Sequence, residues 1–220
     1  MNSKEKILIL GINGSPRKKG NTIKLLRSVL NSAEKAGATT EIIHLIDKQI
    51  KPCLGCYSTK AELCAYPCKQ KDDMQKLYKT MITANGFVLA SPVYWGTVSA
   101  LMKKFLERLT CLENVRILGE TPLLDGKVAA FVSTGAEECG DSNVVEQMLY
   151  PFNTAGCVIV PYRSAYGVYH PELKKKELLG KSYWHEGAER LGKNLVLMCK
   201  LLKEKKINWW QSKNSLPSGN

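Results

Sequence analysis

Histidine is scarce in this chain, with 3 residues in 220, and Phe and Trp are each limited to 4. His44, His170 and His185 stand far apart, and no Ser-His-Asp or Cys-His order points to a hydrolytic triad. His44 closes a strand and reads as structural, while His170 and His185 flank a Tyr-rich stretch. Acidic residues are outnumbered 20 to 32, which leaves a formal net charge of +12. That excess gathers in Lys-rich stretches at 17–19, 174–176 and 203–206. They are not interleaved with a nucleic-acid motif, so nucleic acid is not the expected partner. They read as solvated surface that draws in anionic phosphate ligands. No apolar run reaches the length of a membrane span, and the N-terminus shows no signal peptide. No membrane association and a cytoplasmic location are therefore expected. Internal repeats are missing too. The Walker pattern fails because Gly20 is followed by Asn21, and the dinucleotide fingerprint fails because Gly11 and Gly14 have the wrong spacing.

What the chain does have is an unusual loop, Gly11 to Thr22, with the sequence GINGSPRKKGNT. It follows the apolar run Ile7-Leu8-Ile9-Leu10 and opens a helical pattern near Asn21. A helix start leaves backbone N–H groups unpaired and carries partial positive charge. Ser15, Asn21 and Thr22 add hydrogen-bonding side chains, and Arg17 adds a planar charged fork. Gly11, Gly14 and Gly20 let the backbone come close to a ligand. This donor set suits a terminal phosphomonoester.

The rest of the chain alternates apolar runs with amphipathic segments. Strands are read near 6–13, 39–45, 86–91, 127–133 and 157–161. Helices are read near 21–36, from Asp72 or Asp73 to Thr83, and near 97–110, 142–154 and 183–203. Ile23, Leu26, Leu30 and Ala33 share one face of the first helix, and Gly37 follows it in a C-cap place. Asp72 and Asp73 read as the start of a helix. This alternation implies an α/β fold with a doubly wound parallel sheet in three layers. Ligands then sit at the carboxyl ends of the strands, where the loops after strands one, three and four all fall. The expectation is a single domain over residues 1–207 with a Cys-rich insertion at about 47–71, then a polar tail at 208–220. Trp209 and Trp210 in that tail are expected to dock within the chain.

Three motifs carry a resemblance. Gly14-Ser15-Pro16-Arg17 with Gly20-Asn21-Thr22 resembles the FMN-phosphate loop of the flavodoxin-like NADPH-dependent FMN reductases. Ser91-Pro92-Val93-Tyr94-Trp95-Gly96 with Lys103-Lys104-Phe105-Leu106-Glu107-Arg108 resembles that family's second flavin loop and its helix. Pro52-Cys53-Leu54-Gly55-Cys56, with Cys68 and Asp72-Asp73-Met74 downstream, is similar to the branch that includes the iron–sulfur flavoproteins. The resemblance spans about residues 5–200. It implies a flavodoxin-like sheet in the order 2-1-3-4-5 and a noncovalent FMN. Ser15, Arg17, Gly20, Asn21 and Thr22 would hold the phosphate. Pro92, Val93, Tyr94, Trp95 and Gly96 would line the ring, and Ser133, Thr134 and Gly135 would border its other side. At least one of Tyr94 and Trp95 is expected in the core instead. The implied activity is electron transfer from NAD(P)H through FMN to a small-molecule acceptor or redox protein. An electron carrier between redox partners is the alternative. A homo-oligomer, dimer or tetramer, is expected, with residues 50–70 and 110–125 as interface loops. Tyr162, Tyr166 and Tyr169 offer either a flavin cover or loop packing, and Cys139 lies in the loop after strand four.

Of eight cysteines, Cys53, Cys56, Cys64 and Cys68 cluster with the spacing C-x2-C-x7-C-x3-C. Four thiols this close suit a metal site. The position three after Cys56, where the iron–sulfur branch has a cysteine, is Thr59, so Cys64 is the substitute ligand. A [4Fe-4S] cluster, a structural zinc and free thiols all remain open on sequence. Cys157 and Cys199 read as buried thiols.

Overall fold

Period-two alternation within the strands sends neighbouring residues into different cores. Phe87, Leu89, Ala129 and Phe131 enter one core, while Val88, Ala90, Val128, Ala130 and Val132 enter the other. A strand that is apolar on both faces must be covered on both, which is the condition of a parallel sheet. The computed structural model describes residues 6–135, 140–168 and 183–205. Its strands are β1 (Ile7–Asn13), β2 (Ala38–His44), β3 (Gly86–Pro92), β4 (Val128–Gly135) and β5 (Val158–Val168). They form one sheet in the order β2-β1-β3-β4-β5, with every pair parallel. The flavodoxin-like order is as expected.

The helices are α1 (Asn21–Lys35), α2 (Cys56–Thr59), α3 (Met74–Thr83), α4 (Ala100–Glu107), α5 (Thr110–Glu113), α6 (Gly140–Thr154) and α7 (Tyr183–Lys205). One core packs α1 and α7 on the sheet through Ile23, Leu26, Leu30, Leu191 and Leu195. The other packs α3, α4 and α6 through Met81, Met102, Phe105, Met148 and Phe152. Each fully buried side chain of this size stabilises the fold by about 1.5–3 kcal/mol. Gly37, at φ 95°, closes the turn after α1 in the left-handed region that glycine tolerates best.

Two readings of the sequence need correction. The helix expected over 97–110 is split into α4 and α5. Thr97 is used in a hairpin with Tyr94, and Ser99 becomes the N-cap by accepting from the Met102 amide. At the far end the amides of Arg108 and Leu109 bond three residues back, tightening the last turn. The fifth strand does not end at Pro161. It continues to Val168, with an irregularity in which Ala129 and Phe131 face Ile159 and Ser164. Pro161 lacks an amide hydrogen, so it interrupts the ladder of this edge strand without ending it. Tyr162 and Tyr166 thus fall within β5, but their side chains, like Cys139, Tyr169, His170, Trp209 and Trp210, lie outside the described residues.

Helices α1 and α7 cross closely. Ser32 Oγ donates to the Glu189 carbonyl at 2.7 Å. A Cβ on Gly192 would stand 2.3 Å from the Val29 carbonyl oxygen. Gly192→Ala should therefore force the helices apart and cost about 1–3 kcal/mol in urea unfolding. An unchanged midpoint would show that the crossing is looser than described.

Candidate functional site

Parallel pairing levels the ends of the three central strands. Asn13 lies beside Ala90, Ser91 beside Ser133, and Pro92 beside Thr134. Strand order reverses between β1 and β3, so the crevice opens at this edge. The loop after β1 starts with an Asx turn, in which the buried Asn13 Oδ1 accepts from the Ser15 amide at 3.2 Å. The Arg17 amide then donates to Ser15 Oγ at 3.1 Å. On its other side the Asn13 side-chain Nδ2 meets His44 Nδ1 at 2.9 Å, which gives His44 the structural role expected. Burial holds the His44 imidazole below its ordinary value.

The loop is tied to its neighbours by backbone contact. The Gly14 amide donates to the Ala90 carbonyl at 2.8 Å, and Ser99 Oγ donates to the Gly14 carbonyl at 2.7 Å. A Cβ on Gly14 would lie 2.9 Å from Met102 Cβ, so only glycine fits between β3 and α4. Helix α1 begins at Gly20, which offers no side-chain cap, and its first turn holds no acid. Its leading amides are left for an anion. Ser15 and Thr22 are buried, while Arg17 and Asn21 are exposed beside them. Thr22 Oγ1 meets Thr134 Oγ1 at 2.7 Å, which joins the helix start to the end of β4.

The second loop crosses to the third through the Val93 amide, which donates to the Thr134 carbonyl at 2.9 Å. Tyr94 and Thr97 exchange both backbone bonds around Trp95 (φ 53°) and Gly96 (φ 69°). Two central residues at positive φ define a type I′ turn, and the first position is a costly one for Trp. The turn is held by Asn143 Nδ2 on the Gly96 carbonyl at 2.6 Å and by Gln147 Oε1 on the Val98 amide at 3.3 Å. Tyr94 is 42% exposed and Trp95 fully exposed, so neither packs in the core, contrary to expectation.

The cysteine segment crosses the far end of α4. Cys53, Cys56, Cys64 and Cys68 line one hollow together with Arg108 and Cys111. The hollow spans about 350 Å³ counting its open mouth. Burial and the neighbouring Cys53, Cys56 and Cys68 push the Cys64 thiol up to about 11. Among the described residues, no three His, Cys, Asp or Glu side chains stand close enough as they are to hold a metal ion. Thiolates on separate irons of a cluster stand further apart. The short turn α2 buries none of its residues.

Helices outside the segment hold it in place. Asn114 Nδ2 donates to the carbonyls of Ala61 and Cys64, both at 2.8 Å. Gln75 Nε2 donates to the carbonyls of Cys68 and Gln70. Residues 50–70 and 110–125 thus pack on each other. Arg108 is the main anchor. Its Nη1 reaches Asp72 Oδ2 at 2.5 Å and the Lys51 carbonyl at 3.0 Å, and its Nη2 lies 3.6 Å from Cys68 Sγ. Both side chains of the pair are buried, at 1% and 2% exposure. Burial works to raise Asp72, but hydrogen bonds from Arg108, Lys51 and Met74 outweigh it and hold the carboxyl below its ordinary value. Asp72 is thus more than the start of a helix. Its partner lies 36 residues away, so local spacing gave no signal of the pair.

The fold and edge geometry are those of a flavodoxin-type protein. A crystal structure of RosB with bound 8-demethyl-8-formylriboflavin-5′-phosphate superposes with a TM-score of 0.70 at 20% identity, covering 91% of this chain and 82% of that one. An NADH:FMN oxidoreductase in its apo form gives 0.59 at 20% identity, covering 89% and 90%. The family profile described as NADPH-dependent FMN reductase matches residues 7–169. An iron-sulfur flavoprotein of Methanocaldococcus jannaschii is 34% identical over 89% of this chain and 99% of its own length. One from Archaeoglobus fulgidus is 33% identical over 77% and 73%. The chain belongs to the NADPH-dependent FMN reductase family, in the branch of the iron-sulfur flavoproteins. It is accordingly a flavoprotein oxidoreductase.

Two measurements check this geometry. Trp95→Asn places a residue that tolerates positive φ in the same turn, so it should stabilise the cofactor-free protein by about 1 kcal/mol in urea. A loss of stability would mean that Trp95 packs somewhere in the fold. Asp72→Asn should cost about 3–5 kcal/mol, the usual result of breaking a buried pair. The folded carboxyl lies below its ordinary 3.8, so its contribution is complete above that value and disappears as pH falls through the lower one. The gap between wild type and Asp72→Asn should be flat above pH about 4 and close below it. A gap that persists in acid would contradict the pairing.

Proposed function

We propose that the domain over residues 1–207 oxidises NAD(P)H and passes the electrons through FMN to a second acceptor, with Cys53, Cys56, Cys64 and Cys68 holding a [4Fe-4S] cluster. The observation that supports this best is the uncapped start of α1. It stands beside buried Ser15 and Thr22 at the level edge of β1, β3 and β4. FMN supplies the hydride and one-electron chemistry when bound. The chain's own residues bind and orient. The amides of Asn21 and Thr22, which Gly20 leaves uncapped, receive the phosphate with Ser15 Oγ. Arg17 adds charge from the surface. The backbone of Pro92 to Gly96 meets the ring's polar edge, and Ser133, Thr134 and Gly135 border its other side. Tyr94 and Trp95 offer flat apolar surface at the mouth. Lys18 in the same loop pairs with Asp47 at 2.6 Å, which offsets that carboxylate's charge beside the loop.

A second reading, an electron carrier between redox partners, draws its support from the thiol hollow beside α4. Exposed Tyr94 and Trp95 also support a homo-oligomer, dimer or tetramer, in which another copy covers the ring. The described cysteines are all unpaired, which suits a cytoplasmic setting. Among the described residues no helix is long and apolar enough to cross a membrane.

Anaerobically purified protein should carry one FMN per chain, with roughly four irons and four sulfides for a cubane cluster. Fast bleaching of the flavin by NADH or NADPH supports the oxidoreductase. Slow bleaching with full iron supports the carrier, and colourless protein overturns both. Arg17→Ala should raise the FMN Kd by roughly 10- to 150-fold, the worth of a charge-assisted hydrogen bond of about 1.5–3 kcal/mol. Unchanged FMN affinity would remove Arg17 from the phosphate.

A further inference from the structure

We propose that Arg108 is a positioning residue for the cysteine site, presenting N–H donors to the Cys68 sulfur and to the cluster and so setting how readily the site accepts an electron. This rests on the [4Fe-4S] reading above. Arg108 is one of the largest fully buried side chains in the protein. A guanidinium has five N–H donors and stays charged. Asp72 takes Nη1 at 2.5 Å and Nη2 at 3.3 Å, the Lys51 carbonyl takes Nη1 at 3.0 Å, and Cys68 Sγ lies 3.6 Å from Nη2. The Nε–H is buried and has no partner. An unpaired buried donor is expensive, and natural proteins keep few of them.

Arg108 lines the hollow with four thiols. Electron-rich sulfur arriving there gives the unused N–H something to bond. Two neighbours hold the Arg108 backbone in place. Tyr78 Oη donates to the Arg108 carbonyl at 2.7 Å, and Cys111 Sγ approaches that same oxygen at 3.6 Å. A surface lysine in this position would be hydrated and mobile. Here the donor is dry, planar and pinned by a carboxylate, so its field on the sulfurs is fixed.

Hydrogen bonds to sulfur and net charge both move a cluster's reduction potential. The electron enters the cluster and is supplied by the reduced flavin, and no bond to the protein is made or broken. Loss of the donors in Arg108→Gln should disfavour the reduced form. At the wild-type midpoint the reduced-to-oxidised ratio should fall about tenfold, which is about 59 mV more negative for one electron. Asp72→Asn leaves the guanidinium uncompensated and should move the potential in the positive direction.

The test is a spectroelectrochemical titration of anaerobically reconstituted protein, with iron, sulfide and FMN counted per chain. Opposite shifts in Arg108→Gln and Asp72→Asn, at four irons per chain, support the proposal. A mere clamp would lower iron content in both variants and leave the potential of the remaining clusters where it was, which would overturn it. If Arg108→Gln does not fold, Arg108→Lys, which keeps charge but not the fork, should shift negative by a smaller amount. An unshifted Arg108→Lys would then overturn the proposal. Wild-type protein that takes up FMN but no iron would sink the cluster reading itself, and the proposal with it, a result that the iron count separates from the others.

Discussion

The level carboxyl edge of β1, β3 and β4 is the constraint on which the rest depends. Parallel strands with crossover helices leave all their outgoing loops at one end of the sheet. The register puts Asn13 beside Ala90 and Pro92 beside Thr134, so three loops from distant parts of the chain meet without long excursions. Hydrogen bonds then lock them together. Gly14 bonds to Ala90, Ser99 to Gly14, Val93 to Thr134, and Thr22 to Thr134. A one-residue slip of β3 would reverse its two faces and break most of these contacts, so core burial and site geometry are fixed by the same register.

The cysteine segment follows a different logic. Its short helix α2 buries nothing, and Leu54, Tyr57 and Leu63 stand exposed. Ile50 and Tyr66 pack on the core, and polar groups on the frame behind it, Arg108, Asn114 and Gln75, fix the rest of its path. A buried ion pair is a poor source of net stability, since desolvation offsets much of the attraction. Hydrophobic side chains of similar volume would hold α4 to the segment at least as well. A charged, directional pair makes more sense where orientation matters, and the unused Nε–H on Arg108 points the same way.

Much of the fold was legible because it is written locally. Strand and helix periods, Gly37 after α1 and the loop opening at Asn21 all act over a few residues. The sites that escaped are those where distant residues decide. Asp72 resembles a helix start until Arg108, 36 positions on, is seen beside it. Trp95 resembles a core aromatic after a buried strand, yet Tyr94 and Thr97 close a hairpin that lifts it clear. Pro161 has the look of a strand end, but on an edge strand a missing amide costs only one rung. Cys64 could be placed in the thiol group by spacing alone, whereas its hold by Asn114 depends on the chain folding back from α5.

Helix α4 joins the two halves of the site. At its start, Ser99 caps the helix and grips Gly14 in the phosphate-type loop. Just past its end, Arg108 grips Asp72 and reaches Cys68. Nine residue steps at about 1.5 Å separate these anchors by roughly 13 Å along the axis. The buried Met102, Phe105 and Leu106 fix the helix on the sheet between them. A rigid rod with a polar clamp at each end holds the loop after β1 and the thiol hollow at a constant spacing far better than a loop would. Any change that tilts α4 must therefore disturb the phosphate-type loop and the thiol hollow together, which two independently built sites would not do.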